Sequence, residues 1–328
     1  MSPSTRRREH SPGTSGGNLG PVLVVGATGF LGRATVRALS QAGYEVRGLV
    51  RDGRKASRVV EDGGTPVLGD VLDVPSLRPA ASGCWGLVHL AANPPEGQDP
   101  ARVRFEGGRN LIEVARGAGV RRLLLGSGYW VYAGRSEPIR EDSPVDPQGE
   151  SRINYDCEQV GLGSNDPGRL EVLIARPAMV YGNGSWFRGM AEGIRRRQYR
   201  VVGTGANRWS FVDVEDAGAA FRSLLESGGA GLVYNVADER PETLRTLVDS
   251  IAREVGVPSP GSLSIDDAAL EMGPAIAHHL SADRPMSAQR LRDLGWRPRS
   301  PGILSRLPGV LREMFPAGAE APGSPGRS

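Results

Sequence analysis

The chain has 328 residues, 39% of them hydrophobic and 23% charged, with a formal net charge of +3. That length exceeds one small module and suits a large α/β domain or a nucleotide domain with a smaller lobe. The near-neutral charge excludes the clustered basic face of a nucleic-acid binder, and two cysteines, Cys84 and Cys157, are too few for a disulfide framework and lack metal-ligand spacing.

Residues 1–20 hold Arg6 to Arg8 followed by a Ser, Gly and Pro-rich stretch where a twin-arginine signal needs an apolar core. A disordered tail is expected there, and no segment approaches the ~20 apolar residues of a membrane span, so a cytoplasmic protein is expected. The first element is an apolar strand at 21–26. It empties into glycines at Gly26, Gly29 and Gly32, ahead of an amphipathic helix at 30–43. A tight glycine turn between strand and helix lets backbone N–H groups approach a pyrophosphate, so this spacing predicts a bound dinucleotide. An ordinary strand, turn and helix is the plainer alternative.

Further strands are expected near 45–50, 65–69, 86–91, 121–126 and 170–175, with helices near 53–62, 74–82, 99–118 and 151–163. Such alternation predicts an α/β fold, a doubly wound parallel sheet with its ligand site at the carboxyl ends of the strands. After Arg176-Pro177 the rhythm loosens. The segment Trp209 to Asp216, a helix at 217–227 and a strand at 231–235 read as a return to the sheet. The expected organisation is a dinucleotide-binding domain at 21–183 rejoined by 209–236, and a smaller C-terminal substrate lobe at 184–208 and 237–315. The Pro, Gly, Ala and Ser-rich residues 316–328 are expected to form a disordered tail.

More motifs follow in order: Gly69-Asp70, VHLAA at 88–92, Val131-Tyr132, Tyr155 at the head of a helix, RPAMVYG at 176–182, FVDVEDA at 211–217, YNVAD at 234–238 and LGWRP at 294–298. On these the chain resembles the extended short-chain dehydrogenase/reductase family, also called the NAD-dependent epimerase/dehydratase family, over 21–300. The resemblance implies a Rossmann-type sheet. It implies that Gly26, Thr28, Gly29, Phe30, Leu31 and Gly32 cradle the pyrophosphate, that Asp70 and Val71 meet the adenine, and that Leu90, Ala91 and Ala92 floor the ribose and nicotinamide. Asp70 equally suits capping a turn. Arg51 ends the second strand, with Arg54, Lys55 and Arg33 nearby; a basic residue there accommodates a 2′-phosphate, which favours NADP over NAD. Asp52 keeps NAD open.

In that family a tyrosine and a lysine four residues later work with a Ser or Thr and an Asn. Here Tyr155 is followed at that spacing by Gln159, the hydroxyl position falls on Gly128 with Ser127 one place early, and the Asn position falls on Arg104. Lys55 is the only lysine in the chain. A free phenol titrates near ~10 and a neighbouring cation lowers that by about 1–3 units; glutamine supplies no charge, though it can still hydrogen-bond a ribose. Tyr155 is the expected proton donor and Ser127 its candidate partner. Tyr129 and Tyr132 are alternative acids, with packing the plainer role for Tyr132. Glu158 reads as a solvated helix position, Cys157 as facing away from Tyr155, and His89 as core or cofactor-adjacent. His278 and His279 lack ligand spacing, so no metal is expected.

By position, Asn93 and the loop to Pro100, Tyr129, Trp130, Met179, Asn183, Trp186, Phe187 and Trp209 are expected to line the substrate cleft. Their aromatic rings suit an aromatic or apolar ligand better than a sugar phosphate, though aromatics also fill lobe interfaces. Arg195 to Arg197 would suit a diphosphate, a solvated helix face being the plainer account. Three functions stand open. One is an NAD(P)-binding reductase, epimerase or dehydratase acting on a small molecule through Tyr155. Another is a non-redox cyclase, isomerase or lyase with a structural or absent nucleotide. The third is a non-catalytic dinucleotide sensor. The resemblance also implies a possible homodimer.

Overall fold

The computed structural model describes residues 20–91 and 99–316. The expected tails therefore lie outside the described residues but for Gly20 and Pro316, as do Ala92 and Asn93.

The first half alternates as its hydrophobic pattern dictates: β1 (Val22–Val25), α1 (Phe30–Gln41), β2 (Val46–Val50), α2 (Ala56–Glu61), β3 (Thr65–Leu68), α3 (Val74–Ala81), β4 (Gly86–His89), α4 (Pro100–Gly117), β5 (Arg122–Gly126), α5 (Glu150–Gly163) and β6 (Glu171–Pro177). The helix expected at 53–62 begins as a 3-10 turn over Gly53–Lys55, because the Asp52 side chain accepts from Arg54 N and starts a tighter first turn. The second half adds β7 (Met179–Tyr181), α6 (Ser185–Arg195), β8 (Val201–Val202), β9 (Arg208–Trp209), β10 (Phe211–Asp213), α7 (Val214–Ser227), β11 (Val233–Val236), β12 (Glu242–Thr243), α8 (Leu244–Glu254), β13 (Ser262–Leu263), α9 (Ile265–Met272), α10 (Pro274–Ser281), α11 (Gln289–Asp293) and α12 (Ile303–Met314). Helix α7 starts three residues before the expected 217 because the Asp213 side chain caps it, accepting from Glu215 N at 2.9 Å.

Seven strands form one sheet in the order β11-β6-β5-β4-β1-β2-β3, every neighbour parallel. All four residues of β1 and of β4 are buried, as a central parallel strand covered on both faces requires. Side chains alternate between the two faces. Val22, Val24, Val88, Leu124 and Leu173 enter one core, while Leu23, Val25, Leu87, Leu123 and Val172 enter the other. Each such side chain contributes about 1.5–3 kcal/mol on burial. On the first face α1 and α7 approach so closely that a Cβ at Gly218 would stand 2.6 Å from the Ala34 carbonyl.

Chain order reverses beside β1: β2 and β3 lie on one side, β4 to β6 on the other. A cleft opens at the carboxyl ends on either side of such a reversal. Here it opens past the paired ends Val25 and His89.

Candidate active site

The cleft has a volume of about 1640 Å³, above the ~300–1,000 Å³ of an ordinary ligand pocket, which leaves room for two ligands. Its nucleotide end is built by backbone. Gly26 sits at φ +86°, where a side chain would be strained and its Cβ would fall 2.7 Å from Ala91 N. A Cβ at Gly32 would fall 1.9 Å from Gly26 O, and Gly29 N donates to that same oxygen at 2.9 Å. Helix α1 starts at Gly29 with no side-chain cap, so its first-turn N–H groups and its dipole face the cleft, the arrangement that binds a phosphate.

Of the residues expected around the nucleotide, Gly26, Thr28, Gly29, Phe30, Leu31, Gly32, Arg51, Asp70, Val71, Leu90 and Ala91 line the cleft. Asp70 also closes a turn, its carboxylate accepting from Leu72 N at 2.9 Å. Arg51, Arg54, Lys55 and Arg58 form a basic rim. Asp52 is engaged by Arg54 at 2.7 Å, which holds its carboxyl down at about 2. Arg33 is not part of this rim, because it pairs with Glu61 at 3.1 Å and with Asp62.

The structure does not bring Tyr155 or Gln159 to the cleft. The lining residues of α5 are Glu150, Ser151, Asn154 and Cys157, one stripe of the helix, whereas Tyr155 packs against the core on another face. The cause lies one turn further along. Glu158 is 1% exposed, not solvated, and forms two hydrogen bonds with the buried Arg176 of β6, its Oε1 accepting from Nε at 2.9 Å. Arg176 also lies over the Tyr132 ring, 4.6 Å from its centroid. This pairing fixes the rotation of α5 and turns Asn154 and Glu150, four and eight residues back, towards the cleft. The pair at four-residue spacing that meets the cleft is therefore Glu150 and Asn154, not Tyr155 and Gln159. Arg104 lines the same wall and pairs with Glu150 at 3.0 Å.

Opposite stands the end of β5. A Cβ at Gly128 would find only Asn154 Nδ2, at 4.0 Å, so space remains open there. Ser127 lines the cleft with a buried hydroxyl that has no hydrogen-bond partner among the described residues, and the Tyr129 hydroxyl beside it is in the same state. Burial pushes the Tyr129 phenol well above its ordinary range, so it stays neutral at physiological pH. Tyr132 is core, its hydroxyl donating to Asn235 Oδ1 at 2.7 Å. Burial lowers His89 to about 4, leaving a neutral imidazole at the cleft floor, and raises the Cys157 thiol to about 11.

The far end is apolar. Tyr129, Trp130, Met179 and Trp186 line it as expected. Asn183, Phe187 and Trp209 do not. Asn183 Nδ2 donates to Glu313 O at 3.3 Å, Phe187 is wholly buried, and Trp209 is held edge-on to Trp186 with centroids 6.4 Å apart. The opposite wall comes from the segment Met272 to Ile276 and His279 of α9 and α10, residues not expected in the cleft from the sequence. His279 stacks on Trp130 at 4.8 Å. No cluster of potential metal ligands occurs among the described residues, and none of their helices is long and apolar enough to cross a membrane.

The family model for the NAD dependent epimerase/dehydratase family matches residues 22–237. The chain is 32% identical over 300 residues to a 3-diazoavenalumate denitrifying reductase of a Streptomyces species, covering 85% of this chain and 96% of that one. It is 28% identical to a 4-hydroxy-2-methyl-3-oxo-4-farnesyl-3,4-dihydroquinoline-1-oxide ketoreductase of Stigmatella aurantiaca, over 72% of this chain and 73% of that one. Its fold matches a dTDP-glucose 4,6-dehydratase double mutant of Streptomyces venezuelae, crystallised with NAD, at a TM-score of 0.75 and 23% identity, covering 89% and 95% of the two chains. The chain belongs to the NAD dependent epimerase/dehydratase family and is an NAD(P)-dependent enzyme.

Proposed function

We propose that the protein is an NADPH-dependent reductase of a small aromatic electrophile that works without a tyrosine–lysine proton relay. The observation that carries this reading is the cleft face of α5, which presents Glu150, Ser151, Asn154 and Cys157 and neither a phenol nor an ammonium. The free first turn of α1 and the glycines that let the backbone close around it fit a pyrophosphate. Arg51, Arg54 and Lys55 at the rim fit a 2′-phosphate better than a bare ribose.

A nicotinamide bound there supplies a hydride. The remaining work belongs to the chain's own groups. Trp130 and Trp186 hold an aromatic ring, Ser127 and Tyr129 offer neutral hydroxyls, and the neutral His89 keeps the floor uncharged. Cys157 carries almost no thiolate at neutral pH and is no nucleophile. Such a wall orients and polarises, but burial outweighs the pull of Arg284 on the Tyr129 phenol and holds it well above its ordinary range, so no activated phenol is there to deliver a proton. Ketone reduction requires a proton at oxygen. Reduction of an arenediazonium carbon gives a C–H bond and releases N₂ with no proton from the protein. The name of the Streptomyces relative, a denitrifying reductase of a diazo compound, supports that class of acceptor.

The test follows reduced-cofactor consumption by the purified protein with 4-methoxybenzenediazonium and with a matched aryl ketone, against controls without enzyme. NADPH oxidised in step with anisole and N₂, at the same rate in Tyr155→Phe, is the expected outcome. Turnover confined to the ketone and lost in Tyr155→Phe refutes the proposal.

A further inference from the structure

Behind the aromatic wall of the cleft lies a cation that the proposed reaction does not use. Arg284 is wholly buried. Its guanidinium donates from Nε to Tyr132 O at 3.2 Å and from Nη1 to His279 O at 3.0 Å, and its Nη2 stands 3.3 Å from His279 Nδ1. All three partners are neutral, and Arg284 forms an ion pair with no described carboxylate. The one acid among the described residues that acts on it, Asp146, does so only through space and is itself half exposed beside His278. A guanidinium cannot shed its proton, and a buried charge without a counter-charge is strongly unfavourable.

The groups in front of Arg284 are donors in search of acceptors. Its contact with His279 Nδ1 leaves the ring proton on Nε2, whose acceptor is Gln148 O at a long 3.4 Å. Tyr129, 3% exposed and lining the cleft, has a hydroxyl proton with no acceptor among the described residues, and the Trp130 indole N–H beside it lies near that hydroxyl without the geometry of a hydrogen bond. Three donor groups backed by one uncompensated positive charge constitute a wall that selects negative charge.

Resting on the reductase reading above, we infer that the substrate is an aromatic acid whose carboxylate seats against Tyr129, Trp130 and His279, with Arg284 as its buried counter-charge. His279 and Tyr129 are the contacting residues and Arg284 a positioning residue behind them. The ring between the carboxylate and the reacting carbon then lies along Trp130 and Trp186.

Titration of the full-length protein with trans-cinnamate and trans-cinnamamide, followed by tryptophan fluorescence with and without NADP⁺, tests this. These probes share shape and differ in charge. Cinnamate is expected to bind at least tenfold tighter, Arg284→Gln to bring the ratio close to one with NADP⁺ affinity unchanged, and Arg284→Lys to retain part of the preference. A purely structural role for Arg284 would weaken both ligands together. Equal binding of the two ligands by the wild-type protein, or a preference that survives in Arg284→Gln, overturns the inference, and the wild-type ratio decides alone if that variant does not fold. Loss of NADP(H) binding or turnover counts against the reductase reading, whereas an absent acid preference with both intact counts only against the carboxylate site.

Discussion

Replacing Glu158 with Gln removes one charge and almost no volume, yet it strikes the contact that sets the rotation of α5. Arg176 is 4% exposed and Glu158 1%, so Arg176 would be left as a buried guanidinium facing a neutral amide, one of whose ends is itself a donor. Breaking a buried pair by removing one partner costs about 3–5 kcal/mol. With a urea slope of about 3 kcal/mol/M, the unfolding midpoint should fall by roughly 1–1.7 M. Replacing both partners with apolar residues, Glu158→Leu with Arg176→Met, should recover most of that loss, because no isolated charge remains. NADPH turnover should fall in both variants, since neither fixes Asn154 and Glu150 towards the cleft. Equilibrium urea unfolding by circular dichroism, at equal protein concentration, measures the effect. A Glu158→Gln midpoint within about 0.3 M of wild type would show that the pair does not pin the helix and does not set the direction of Asn154.

Arg51→Ala should weaken NADP⁺ about tenfold, in line with the ~1.5–3 kcal/mol of a hydrogen bond to a charged group reduced by exposure, while NAD⁺ affinity stays within twofold; equal losses for both dinucleotides contradict the assignment of the rim. The Cys157 thiol, raised to about 11 chiefly by burial, should be about one part in ten thousand thiolate at pH 7, so its alkylation by iodoacetamide, read in Cys84→Ser to isolate it, should quicken nearly tenfold per pH unit from 7 to 10; a plateau near pH 8 disproves the shift. Asp238 is raised to about 7 chiefly by burial, with Asp216 and Glu242 pushing the same way and Arg240 opposing. Its folded value exceeds its unfolded value, so its stabilising contribution is present in full below about pH 4 and is lost as pH rises to 7. Asp238→Asn should remove that slope from the unfolding midpoint between pH 5 and 7, and an unchanged slope rules the carboxyl out as its source.

The fold was legible because its signals are local. Four-residue apolar runs such as Val22–Val25, punctuated by glycine turns and separated by amphipathic helices, specify parallel strands without reference to distant partners. The nucleotide end was legible for the same reason, since the residues from Gly26 to Gly32 contain the whole turn. The reaction end was not. Tyr155 is a tyrosine at the head of a helix, which sequence position alone favours, but helix rotation is set by a bond between Glu158 and Arg176, eighteen residues apart. A signal for it existed in the acid at 158 together with the RP pair that ends β6, because an arginine inside a buried strand demands an acidic partner. His279 and the segment from Met272 carried no local signal, as their role depends on how α9 and α10 fold back over the cleft from more than a hundred residues away.

The two ends of the cleft therefore differ in what a substitution can change. At the nucleotide end the backbone shapes the cleft: a Cβ at Gly32 would collide with the turn itself and one at Gly26 with the Leu90–Ala91 backbone, so alteration there costs the fold. At the reaction end Glu150 and Asn154 are side chains on a stripe whose direction is fixed elsewhere, by Glu158. Exchange at Asn154 leaves the sheet, the turn and both ion pairs intact, whereas exchange at Glu150 also releases Arg104 from its partner on the same wall. Gly128 belongs to the same freedom, with nothing but Asn154 Nδ2 within 4.0 Å of its would-be Cβ. On the proposed reading, a scaffold so divided keeps its dinucleotide while a donor wall backed by Arg284 stands where a proton relay would, which suits an acceptor that needs orientation and charge recognition from the protein and takes no proton from it.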